Sequence, residues 1–169
     1  WLIILFSSLS GVMWAGIAFH IMPLFESRGL TGADVATTLV VYGMCLALSQ
    51  FFGGFVADRL SLPLLLTLSQ GMIAVGCFCL LQMSSMSLAL VFAVVVGTGE
   101  GLGFITVAAL WPRYYGRRHL GKIRSFGMAA LVIGSSVSPY LFGIAYDAWN
   151  SFDRPLQILT ILCVILTVF

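Results

Sequence analysis

The chain has 169 residues, 60% of them hydrophobic and 8% charged, with a formal net charge of +2. Soluble domains are near half apolar and a quarter charged, so this composition excludes a water-soluble globular protein, and the small net charge offers no footing for nucleic acid. Every formal charge except Glu100 lies between apolar runs or at their edges, as expected where charge at mid-bilayer is costly.

A membrane-spanning helix needs about 20 apolar residues. Six stretches are candidates: residues 2–22, 36–56, 63–81, 88–111, 125–146 and 155–169. The first begins inside an apolar run and the last stops inside one. The chain therefore reads as a single six-helix transmembrane domain over residues 1–169, cut at both ends from a longer protein. No cleavable signal peptide is read, because Trp1 stands within apolar sequence with no basic stretch before it.

The connections carry the charges unevenly. The first, third and fifth share one side of the membrane and hold only Arg28 and Arg154 among basic residues. The second and fourth share the other and hold Arg59, Arg113, Arg117, Arg118, Lys122 and Arg124. The positive-inside rule puts the second and fourth in the cytoplasm, and both chain ends with them. Helix breakers mark the boundaries. Pro23 is expected to close the first helix, Pro63 to open the third, and Pro112 to end the fourth. Pro139 is expected to kink the fifth. Gly121 and Lys122 precede the fifth in a basic linker that suits a short surface helix.

Few polar groups lie inside the runs. Glu100 is the one formal charge at membrane depth, where an ionisable side chain faces a water-filled cavity or a partner; it reads as a substrate or proton-coupling group. The competing reading is a neutral acid hydrogen-bonded to a neighbouring helix. Around it, Gly97/Gly101 and Gly99/Gly103 form two interleaved four-residue spacings suited to close helix approach. They lack the strand–turn–helix order and the following Lys of a nucleotide loop.

His20 lies in the last turn of the first helix, either as a proton relay or as an interfacial anchor. Trp14, Ser10 and Gly11 on that helix are candidates for a cavity wall. Gln50 and Gln70 read as interhelical hydrogen-bond formers or as pathway residues. The basic set Arg113, Arg117, Arg118, Lys122 and Arg124 fixes topology or meets anionic lipid head groups, beside an aromatic belt of Trp111, Tyr114 and Tyr115. Cys45, Cys77, Cys79 and Cys163 read as small packing residues rather than disulfides or metal ligands. No catalytic residue, metal site or cofactor is expected. Neither Gly-x-Ser-x-Gly nor His-Glu-x-x-His occurs, which leaves an intramembrane enzyme the weakest reading.

The sequence Gly54-Phe-Val-Ala-Asp58-Arg59-Leu60 resembles the Gly-x-Leu-Ala-Asp-Arg-x-Gly-Arg-Arg/Lys loop of the major facilitator superfamily. It departs from that pattern after Leu60, where Ser61, Leu62 and Pro63 follow. The run from Trp111 to Arg124, followed by Gly134, Pro139, Gly143 and Asp147, is similar to the tenth-to-eleventh helix region of carboxylate-porter-like members. Residues 19–30 look like the exit from a seventh helix. The resemblance implies the C-terminal half of a twelve-helix fold, an all-α domain of two inverted three-helix repeats. It further implies a missing N-terminal six-helix half as partner and alternating-access transport of a small organic solute, monocarboxylates or other organic anions included. The implied location is the plasma membrane, of the bacterial inner-membrane kind. By the same resemblance Gly54, Asp58 and Arg59 form a cytoplasmic gate, with Asp58 meeting the start of the fifth helix near Lys122 and Arg124. A sensor or scaffold on the same fold, which moves no solute, is the alternative.

Overall fold

The computed structural model describes residues 2–116 and 120–168, and every element in them is helical. Helix α1 spans Leu2–Glu26, α2 Gly32–Ala57, α3 Leu62–Leu81, α4 Met86–Tyr115, α5 Leu120–Trp149 and α6 Asp153–Val168. The first five contain stretches long and apolar enough to cross a membrane; α6 has 16 residues.

The helix ends differ from the sequence reading in instructive ways. Pro23 and Pro112 do not terminate their helices but sit inside the last turns of α1 and α4. Proline forfeits its own bond to the carbonyl four residues back, yet its carbonyl still accepts, as Pro23 does from the Ser27 amide at 3.0 Å. Pro63 does open a helix, lying in the first turn of α3 behind Ser61. Helix α2 starts four residues before its apolar run, because Thr31 and Asp34 close a capping box. The basic linker is largely helix: α4 runs on to Tyr115 and α5 starts at Leu120, so Gly121 and Lys122 belong to α5 itself.

Packing is organised in pairs. Helix α1 lies along α5, α2 along α4, and α3 is held between α4 and α6. Contacts between α1 and α2, and between α4 and α5, are sparse. The α1–α5 and α2–α4 pairs correspond under an inverted repeat, whereas the extensive α3–α4 contact has only a slight counterpart between α6 and α1. Small residues allow the close approaches. A Cβ on Gly134 of α5 would run into the Ser8 carbonyl of α1, and one on Gly11 into the Leu131 carbonyl of α5. In α4 the two glycine ridges face different partners. Gly97 and Gly101 abut the backbone of α2 at Tyr42 and Leu46, and Gly99 abuts Ser69 of α3. Residues two apart on a helix point about 200° apart, so alternating glycines let one helix be gripped on two sides.

The buried apolar core is concentrated at one end. It joins Met13 to Phe25 of α1, Ile73 to Leu80 of α3, Ala89 to Val96 of α4, and Phe152 to Cys163 across the start of α6. At the other end, where Arg113 and Arg124 lie, the bundle is hollow.

Candidate solute pathway

The sparse α1–α2 and α4–α5 seams leave a cavity of about 500 Å³. Its wall is mainly apolar and aromatic, with Phe104, Val107 and Trp111 from α4 and Leu131 from α5. Few of its lining residues bear polar side chains: Ser7, Ser10, Trp14, Tyr42, Glu100, Arg124 and Ser135. Three residues from three helices converge at its inner limit. The Trp14 indole N–H of α1 donates to the Tyr42 hydroxyl of α2 at 2.9 Å. That hydroxyl donates in turn to Glu100 Oε2 of α4.

The placement of Glu100 follows from the glycines around it. At about 100° per residue it falls between the ridge facing α2 and the ridge facing α3, so its side chain emerges toward the open seam. It is only 5% exposed. A buried carboxyl group needs a hydrogen-bonded partner, and Tyr42 is that partner. The chain Trp14–Tyr42–Glu100 thus ties α1, across its sparse seam with α2, to the closely packed α2–α4 pair.

Of the residues expected from the sequence, Glu100 and Trp14 meet at this site and Ser10 and Gly11 line the cavity, while His20, Gln50 and Gln70 lie elsewhere. His20 bonds the Gly16 carbonyl of its own helix at 3.0 Å and packs against the rings of Phe142 and Phe152. Gln70 is buried in α3, with Cys163 of α6 as a neighbour of its side chain. Gln50, partly exposed, does not form part of the cavity wall.

Gly54, Asp58 and Arg59 lie at the end of α2, and all three are exposed. The expected contact of Asp58 with Lys122 or Arg124 is not made. Among the described residues the ion pair is Arg28 with Asp153, at the opposite end of the bundle. The reason is architectural: α2 and α5 pack against different inner helices and stand on opposite sides of the cavity. Arg113 is exposed and Lys122 is at the surface, and Arg117 and Arg118 lie outside the described residues.

The sequence reading misses one site residue, Tyr42, and places another, Arg124, in the basic cytoplasmic loop. Tyr42 has a usable signal, a hydroxyl at the centre of an otherwise apolar run. Arg124 falls in a loop by sequence, but α5 begins a turn earlier and carries it onto the cavity wall.

The model of the major facilitator superfamily matches residues 1–169, and no curated protein matches the sequence. The chain belongs to the major facilitator superfamily. It is an integral membrane protein of a family of transporters, and its all-helical architecture agrees with that membership.

Proposed function

We propose that the chain is the C-terminal six-helix half of a secondary transporter that moves small organic solutes by alternating access, with Glu100 coupling uptake to protons. The observation that carries this reading is the buried Glu100 carboxyl at the inner limit of a cavity, held by one hydroxyl and facing a hollow rather than a packed core. A carboxyl group so placed exchanges a proton with whatever enters the cavity. Arg124 on the same wall supports organic anions, monocarboxylates among them, as the solute class. The missing partner is an N-terminal half of the same protein. The excess of basic residues at the cavity end favours the cytoplasmic side for that end and for both chain ends, in a plasma membrane of the bacterial inner-membrane kind.

The test is uptake of radiolabelled lactate by vesicles containing the full-length protein, with and without an imposed proton gradient. Glu100→Gln is expected to abolish the stimulation by the gradient, a loss of about tenfold or more. Stimulation equal to that of the parent protein rejects the role of Glu100. Absence of gradient-driven uptake in the parent, across a panel of organic anions, favours the sensor reading.

A further inference from the structure

Above the large cavity lies a second, smaller void of about 50 Å³, lined by Met13, Ile17, Ala18 and Ile21 of α1, Thr38 and Leu39 of α2, and Phe92 and Val96 of α4. It reaches toward the end of the bundle that bears Arg28 and Asp153. The two voids share two wall residues, Trp14 and Tyr42. These are the residues joined to each other by the indole-to-hydroxyl hydrogen bond, and Tyr42 is the one that also holds Glu100.

We propose that Tyr42 is a positioning residue that keeps a partition closed between the two voids, and that its bond to Glu100 makes opening of that partition depend on whether Glu100 carries a proton. This rests on the proton-coupling reading of Glu100.

The argument is a matter of donors and acceptors. A phenol has one O–H to give. With Glu100 ionised, that O–H goes to a carboxylate, a charge-assisted bond of the stronger kind, while the phenol oxygen receives the Trp14 N–H. The ring of Tyr42 is then pinned from both sides across the seam. With Glu100 protonated, the charge assistance is gone and the phenol is held by neutral bonds alone. Since α1 and α2 touch little along their length, this side-chain bond is a principal tie between them near the cavity.

The groups facing Glu100 bear on the same point. From α2 the titratable group is Tyr42, from α3 it is the Cys77 thiol, and α1 contributes the non-ionising Trp14 through Tyr42. Arg124 of α5 shares the cavity but stands beside the end of α4, near Trp111, whose ring abuts Gly127. Trp111 is three turns from Glu100 along α4, about 16 Å at 1.5 Å per residue. Among the described residues no other charge is in place to take over the role of the Glu100 proton. The smaller void is walled almost wholly by apolar side chains, and the Thr38 hydroxyl in it is committed to the Asp34 carbonyl at 2.7 Å.

The test is thiol labelling, which needs no knowledge of the solute. Ala18→Cys places a thiol in the smaller void and Ser135→Cys places one in the large cavity. A membrane-impermeant methanethiosulfonate is added to sealed vesicles of the full-length protein, in the orientation in which Ser135→Cys reacts. The protein without an introduced thiol supplies the background from its native cysteines.

Ala18→Cys is expected to react slowly with Tyr42 intact, and at least about tenfold faster when combined with Tyr42→Phe, which keeps the ring and removes both bonds. Combination with Glu100→Gln is expected to give a smaller, few-fold acceleration, because the amide oxygen accepts without charge. Trp14→Phe provides a second way to break the tie and is expected to accelerate labelling as well. Labelling of Ser135→Cys should stay constant throughout, so a general loosening of the fold, which would raise both rates together, overturns the proposal.

Equal labelling of Ala18→Cys with and without the Tyr42 hydroxyl also overturns it, as does an unchanged rate in Glu100→Gln. Failure of the coupling reading looks different: gradient-driven uptake survives Glu100→Gln while labelling still responds to Tyr42→Phe.

Discussion

The two ends of this bundle are held together by different physics. At the end bearing Arg28 and Asp153, long apolar side chains from α1, α3, α4 and α6 interlock, and Phe25, Leu80, Ala89 and Cys163 are wholly buried. At the cavity end the buried apolar side chains lie on α3 and α4, as at Leu62, Leu65 and Leu110, and the other pairs cohere where backbones meet at glycines, Gly11 and Gly134 between α1 and α5, Gly97 and Gly101 between α2 and α4. In a bilayer this difference has consequences. Lipid is as apolar as leucine, so helices associate through close packing and interhelical hydrogen bonds rather than through a hydrophobic force between them. A transport protein that must keep one region hollow cannot stabilise that region with a core. Glycine crossings allow each helix pair to cohere while the space between pairs stays open.

This contrast is exposed to mutation. The largest effect is expected from enlarging a glycine at the cavity end. A methyl group in Gly134→Ala meets the Ser8 carbonyl, a backbone atom that cannot rotate away, so a loss of up to about 3 kcal/mol is expected, in line with overpacking elsewhere. Gly143→Ala on the same helix, with open space around its Cβ position, is expected to be neutral. Titrated SDS unfolding in bicelles compares the two, and equal changes at both positions would mean that close approach at Gly134 contributes nothing beyond the helix propensity that both substitutions alter alike.

A smaller loss is expected from a void at the closed end. Phe25→Ala removes a fully buried ring, and since transfer to lipid costs little, the cavity term dominates, about 2 kcal/mol for a void of ~100 Å³ at ~24 cal/mol per Å³. The matching change at the hollow end, Phe104→Ala at a half-exposed position, should fall below about 0.5 kcal/mol on the same scale. Similar losses at both positions would show that the two ends are packed alike.

The smallest effect is expected from the polar tie between α1 and α5. Ser138 donates to the Val12 carbonyl, and Ser138→Ala should cost about 0.6 kcal/mol, the usual worth of an interhelical hydrogen bond in a membrane. A loss several times larger in the same unfolding titration would place hydrogen bonding above glycine contact in holding this pair.

Much of this organisation was legible in the residues themselves. Apolar runs of membrane length, separated by short charged connections, specify the helices, because an unpaired backbone group in hydrocarbon leaves the helix as the local solution. The Gly-Gly-Phe-Val-Ala-Asp-Arg stretch and the run after Trp111 carried the family, with which the match over residues 1–169 agrees. Glu100 stood out for the same reason that it matters, a lone formal charge where water is scarce. The glycines at every second position around it announced two packing faces on one helix.

Other features depended on which helix lies against which. Gln70 and Trp14 are both polar-bearing residues in apolar runs, yet Gln70 turns to Cys163 and Trp14 to Tyr42. The rotation of each helix within the bundle decides between such fates, and low amphipathicity in a membrane helix leaves that rotation unwritten. Asp58 and Lys122 carry complementary charges, but α2 and α5 stand apart across the cavity. Sequence by itself determined that this chain crosses the membrane as a set of helices, where charge is confined, and which acid is buried. Only the tertiary structure decided that Tyr42 is the partner of that acid and that Arg124 joins the cavity wall. It also decided that the polar chain from Trp14 to Glu100 stands between two voids, because contacts between helices far apart in the chain arise from packing geometry, which no local run of residues encodes.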